Sequence, residues 1–151
     1  QKMNTYYDYL EESTNVVKSN TKRNKTVTIL SYLMIWTVSM LVFWVFKGGI
    51  DAMGYSLMFL WIIIPVTTFT VSVIIGKNNF WGIKKWAFTF PFGVMYMLAE
   101  YGTFSIANNI AFNKINELEW DLAVAGAIIS AIGMLTGLLI NWICRNRNKI
   151  A

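Results

Sequence analysis

Four apolar runs, each about as long as a bilayer is thick, leave this sequence very few folds. They cover about 26–46, 55–75, 86–107 and 122–144, and short charged segments separate them. A bilayer needs ~20 apolar residues per helical crossing. Hydrocarbon offers no water to unpaired peptide groups, so a chain of such runs crosses as helices that satisfy their own N–H and C=O groups. The fold class read from the sequence is therefore all-α: a polytopic integral membrane protein built as a four-transmembrane-helix bundle. Of its 151 residues 56% are hydrophobic, and no polar stretch is long enough to build a separate core. Residues 26–144 thus read as one membrane domain, with 1–25 and 145–151 as flanking tails.

The charge map orients this bundle. Lys18, Lys22, Arg23 and Lys25 precede the first run, Lys77, Lys84 and Lys85 lie between the second and third, and Arg145, Arg147 and Lys149 close the chain. The other two connectors hold only Lys47 and Lys114. The positive-inside rule then puts both termini in the cytoplasm, with Trp44 and Trp120 at the outer interface and Trp86 and Trp142 at the inner one. The net charge of +5 is spread over membrane-flanking positions, so it is no nucleic-acid footprint, and the bilayer is the partner it implies. Abundant Asn, Ile and Lys suggest an AT-rich bacterial source and a cytoplasmic-membrane location. Tyr6, Leu10, Ser13 and Val17 recur at helical spacing, so residues 1–25 read either as a mobile tail with a basic stop or as a helix lying on the membrane surface. Gln1 and Lys2 ahead of Met3 read as a scar of tag removal.

Much chemistry is excluded by composition. The chain has no His and a single cysteine, Cys144, which removes imidazole metal sites, thiolate clusters and disulfides. No nucleotide-binding, metalloprotease or nucleophile-elbow motif is present. The sequence implies no cofactor, no metal and no enzyme. Glu117, Glu119 and Asp121 could gather round a divalent cation, but their spacing matches no calcium loop. The better reading has Asp121 capping the fourth helix and the two glutamates solvated beside it.

Packing signals are stronger. Ala123, Gly126, Ser130, Gly133 and Gly137 recur every three or four residues, a stripe of small side chains that lets another backbone come close, with Gly133 and Gly137 forming a GxxxG pair. Thr89, Gly93, Tyr96, Glu100, Thr103 and Ala107 make a similar stripe on the third run, so the two runs are expected to pack as antiparallel neighbours. The sequence leaves open whether the fourth run's partner lies in this chain or in a second copy, as in a homodimer. Pro65, followed by Thr67, Thr68, Thr70 and Ser72, predicts a kink whose freed carbonyls those hydroxyls could satisfy.

Glu100 is the sole ionisable acid or base within the four runs, and such a residue is read as a site with a partner to be named. It lies four residues past the middle of its run, about 5 Å from the midplane at 1.5 Å per residue. A carboxylate without a partner there takes up a proton rather than hold its charge. Three arrangements fit: a neutral carboxyl bonded to Tyr96, Thr103 or the hydroxyls of the second run, a group facing an outward cavity, or a site for a cation or proton. Tyr96, Tyr101, Thr103 and Glu100 are the candidate ligand-binding residues. The leading function is an accessory, regulatory or ligand-binding membrane module, attached to a larger membrane complex or to itself. The alternative is a small homo-oligomeric transporter or channel that dimerises through the fourth-run stripe and uses Glu100 as its proton- or cation-linked carboxyl. An intramembrane enzyme comes last, because acid–base catalysis needs a second positioned group.

Overall fold

The computed structural model describes residues 2–45, 52–113 and 117–147. The expected turn at Lys47-Gly48-Gly49, and Lys114 and Lys149, lie outside them. Helix α1 (Lys2–Val45) runs unbroken for 44 residues, about 66 Å at the α-helical rise. No Gly or Pro interrupts that sequence. The helix passes without a break through residue 25, where the tail was expected to meet the first span. Residues 11–24 are exposed along this helix, and the first buried side chain among those described is Tyr32.

Helix α2 (52–77) is α-helical at Ala52–Tyr55, π-helical at Ser56–Ile63 and α-helical again at Ile64–Lys77. The expected disturbance at Pro65 thus takes the form of wider turns just upstream. A proline ring collides with the carbonyl four residues back and donates no hydrogen bond, and the π turns carry the strain of both. Asn78 Nδ2 donates to the Ile74 carbonyl at 3.0 Å, and the backbone N–H groups of Asn79 and Phe80 close onto Gly76 and Ile75. Asn79 takes the left-handed conformation (φ 48°), a common helix stop. A 3₁₀ segment, Gly82–Phe88, leads into α3 (89–112), which comprises α-helical Thr89–Glu100, a π turn at Tyr101–Ser105 and α-helical Ile106–Phe112. Helix α4 (Trp120–Arg147) is regular throughout. It begins one residue before Asp121, so Asp121 lies in its first turn and is not its cap.

The four helices alternate in direction. Trp36 donates its indole N–H to the Met95 carbonyl and Trp44 to that of Gly102 (2.9 and 3.1 Å), so α1 and α3 run parallel. Tyr55 Oη donates to the Ser39 carbonyl at 2.9 Å and Thr68 meets Tyr32 at 3.5 Å, which sets α2 antiparallel to α1. Against α4, α2 is parallel and α3 antiparallel. Three stretches are long and apolar enough to cross a membrane: Glu11–Val45, Leu57–Lys77 and Trp120–Arg147. α3 is not among them. It is the shorter and more broken rod, and it carries Glu100, Asn108 and Asn109.

The stripe on α4 is spent inside the chain. A Cβ on Gly126 would sit 2.9 Å from Tyr96 Cβ and 3.1 Å from Gly93 Cα, while one on Gly133 would sit 2.7 Å from the Phe69 carbonyl oxygen. On Gly137 it would land on the Val73 carbonyl oxygen, and on Gly93 on that of Ala123. Ser72 and Ser130 share a buried hydrogen bond of 2.9 Å between these contacts. One stripe therefore serves two partners, α3 through Gly126 and α2 through Ser130, Gly133 and Gly137. We predict that Gly133→Ala and Gly137→Ala each lose roughly 1–3 kcal/mol by overpacking against backbone, read as thermal unfolding in detergent. Ile132→Ala, on the exposed face, should lose far less; equal losses at all three positions would refute this packing.

Candidate functional site

The glycine contacts set the register of α3 on α4, and that register decides where Glu100 lies. Gly93 meets Ala123 and Ala127, and Tyr96 meets Gly126, so in antiparallel helices Glu100 is level with the first turn of α4. It stands at that end of the bundle, not near its middle as the length of its run suggested. Residues beyond the π turn project past the start of α4.

At this level lies a cavity of about 240 Å³ lined by Leu60, Trp61, Tyr96, Glu100, Phe104, Glu119 and Leu122. Two carboxylates thus enter one space from separate elements, Glu100 from α3 and Glu119 from the segment before α4, close enough to repel each other. Three aromatic rings wall it, with Trp61 at the exposed rim (69% accessible) and Tyr96 in the core (5%). Among the described residues no lysine or arginine lines it. The pair of carboxylates and the electron-rich ring faces both attract cations, above all an organic ammonium. At below the ~300 Å³ of typical drug-sized pockets, the cavity suits one small cationic group.

The π turn shapes this site. In an α-helix the residue four on would stack over Glu100; here the wider turn brings Ser105, five on, and its hydroxyl donates to both carboxylate oxygens at 3.3 Å. The Ile106 N–H is shared between the Thr103 carbonyl and, five residues back, that of Tyr101, the latter the mark of a π turn. That leaves the Gly102 carbonyl to the indole of Trp44.

Of the residues singled out from the sequence, Glu100 and Tyr96 share the cavity. Thr103 and Tyr101 do not line it. Thr103 is fully buried and turns its hydroxyl to the carbonyls of Ala99 (2.8 Å) and Glu100 (3.1 Å). The hydroxyls of α2 do not reach Glu100 either: Thr67 and Thr70 bond carbonyls four residues back in their own helix, and Ser72 faces Ser130. Sequence reasoning missed Trp61, Phe104 and the role of Glu119. Glu119 carried a signal, since it belongs to the acidic cluster, but reading it as solvated beside the helix start hid its approach to Glu100. Glu117 and Asp121 do not line the cavity, and among the described residues no cluster of three metal-ligating side chains forms.

Tyr96 has a structural task too. The Ile64 N–H donates to Phe59, five residues back, so in this register the Leu60 carbonyl would be served by residue 65, a proline with no N–H. Tyr96 Oη takes that place, donating to Leu60 at 2.9 Å. No family model, curated protein or solved structure matches the chain.

Leaving that buried carbonyl bare should cost Tyr96→Phe roughly 1–2 kcal/mol. Pro65→Ala restores an N–H next to it, so the same change in that background should cost less than half as much. A double-mutant cycle of unfolding in detergent reads both, and equal costs in the two backgrounds would sink the account.

Proposed function

We propose that this chain is a small accessory membrane module that crosses the bilayer four times and binds a cationic group at its outer face. The observation that carries the reading is the cavity where Glu100 and Glu119 converge between Trp61, Tyr96 and Phe104. α3 joins the three strongly apolar helices as the fourth crossing, shielded by α1, α2 and α4. The basic segments then lie in the cytoplasm of a bacterial cell together with both termini, and the acidic cavity opens at the level of the outer headgroups. A carboxylate at that level costs far less than one at the midplane, since water and headgroups reach it.

The homo-oligomeric transporter or channel has less support. The stripe it would use to dimerise is occupied by α2 and α3, and Glu100 sits at one end of the bundle, where no path through the bilayer is needed to reach it. A module that docks beside a larger membrane complex keeps its apolar outer surface free for that partner and needs no catalytic set of its own.

Two measurements test the proposal. Glu100→Gln relieves repulsion from Glu119, so the purified protein should unfold later, by on the order of 0.5–1 kcal/mol. Tetramethylammonium should raise the unfolding temperature of the wild type and leave that of Glu100→Gln unchanged. A variant less stable than wild type, with no cation effect in either protein, would make Glu100 a structural strut. For topology, a membrane-impermeant maleimide should label Asn109→Cys in a Cys144→Ser background in intact cells. Native Cys144 should react only after permeabilisation, and the reverse pattern would overturn the orientation.

A further inference from the structure

The opposite end of the bundle holds a second cavity, of about 380 Å³, between the turn after α2 and the last two turns of α4. It is lined by Asn79, Leu138, Asn141, Trp142, Arg145 and Asn146, and its character is the inverse of the Glu100 cavity. It has three amides and a guanidinium and, among the described residues, no carboxylate. Behind it lies Lys85, a lysine only 4% accessible. Lys85 Nζ donates to Asn79 Oδ1 at 2.7 Å, its one hydrogen-bond partner among the described residues. A buried ammonium with a single neutral acceptor is short of negative charge. The contact also orients the Asn79 amide: with Oδ1 committed to Lys85, its Nδ2 donor is left for a ligand.

The end of α2 does not cancel this positive field. The last carbonyls of α2 are capped by Asn78 Nδ2 and by the N–H groups of Asn79 and Phe80. Lys25 of α1 lies over the rings of Phe80 and Trp81 (5.9 and 5.2 Å to the centroids), and holds the turn in place while adding another cation nearby.

We infer that this cavity binds a phosphoryl group. The guanidinium of Arg145 supplies paired donors that match phosphate oxygens, the amides of Asn79, Asn141 and Asn146 supply neutral donors, and Lys85 supplies charge through Asn79. Leu138 and Trp142 add an apolar wall against which the glycerol of a lipid can rest. The phosphoryl group belongs either to an anionic phospholipid of the leaflet this end meets or to soluble phosphate; basic pockets between helices are known to take such headgroups.

The full chain in detergent, at fixed ionic strength, is titrated with short-chain phosphatidylglycerol and, separately, with inorganic phosphate, and binding is read by thermophoresis. Saturable binding is expected, weakened roughly tenfold by Arg145→Gln or by Asn79→Gly. Glycine suits position 79 because φ there is 48°, so the second variant removes the amide without straining the turn. Arg147→Gln, outside the cavity, should change affinity by less than about twofold. Binding of phosphatidylglycerol alone identifies a lipid headgroup, and equal competition by inorganic phosphate identifies the soluble ion. If the wild type binds neither, or if Arg147→Gln weakens binding as much as Arg145→Gln, the site is overturned in favour of diffuse attraction by a basic tail. These outcomes are independent of whether the Glu100 cavity takes a cation.

Discussion

Backbone-to-backbone contact along α4 is the constraint on which the rest of the structure depends. Where a Cβ on Gly93, Gly133 or Gly137 would strike a neighbouring carbonyl, the helices have no freedom to slide by a residue without collision. In lipid, helix association relies on such close packing, because lipid tails are as apolar as the side chains they would displace. Register is therefore set by a handful of glycines, and register in turn places every functional group. Gly93 against Ala123 and Ala127 puts Glu100 beside Glu119. The contacts of Gly133 and Gly137 with α2 put Asn79 beside the last turns of α4.

A second constraint is the demand that each buried carbonyl find a donor. Two π segments break the regular ladder, and aromatic side chains donate across helices both to carbonyls within them (Leu60, Gly102) and to carbonyls in regular helix (Met95, Ser39). Tyr96 serves Leu60, Trp44 serves Gly102, Trp36 serves Met95 and Tyr55 serves Ser39. Most hydroxyls behave differently. Ser39, Thr67, Thr70, Thr103 and Thr136 each bond a carbonyl four residues back in their own helix, a local choice open to any Ser or Thr in a helix. The links between helices are thus made largely by rings that fill space and donate one bond, with Ser72–Ser130 and Thr68–Tyr32 as buried hydroxyl pairs that cross.

This division explains which parts of the molecule were legible in the sequence. The all-helical class and the small-residue stripe follow from one-dimensional periodicity, which a regular helix such as α4 preserves. The depth of Glu100 does not, because centring a residue within its apolar run assumes a helix that starts with the run and keeps one pitch. α3 instead begins with a 3₁₀ segment, widens at 101–105 and extends beyond the start of α4. Thr103 was placed beside Glu100 by α-helical spacing, and the π turn gave that place to Ser105. The long first helix was hidden for another reason: residues 11–24 are mostly polar and exposed, which reads as a tail, yet no Gly or Pro in them stops a helix.

The charges can be sorted by whether the helices themselves account for them. Asp121 in the first turn of α4 and Arg145 and Arg147 in its last lie where the helix macrodipole favours them, and Lys77 at the end of α2 does likewise. Glu100 and Lys85 have no such support. Glu100 is more than a turn from either end of α3, and a second carboxylate shares its cavity. Lys85 lies in the segment that opens into α3, where free N–H groups disfavour a cation, and it is buried on a single amide oxygen. The fold thus holds two charges that its helix ends do not support, one at each cavity, and the cation and phosphoryl group proposed above are the ligands of opposite sign that would balance them.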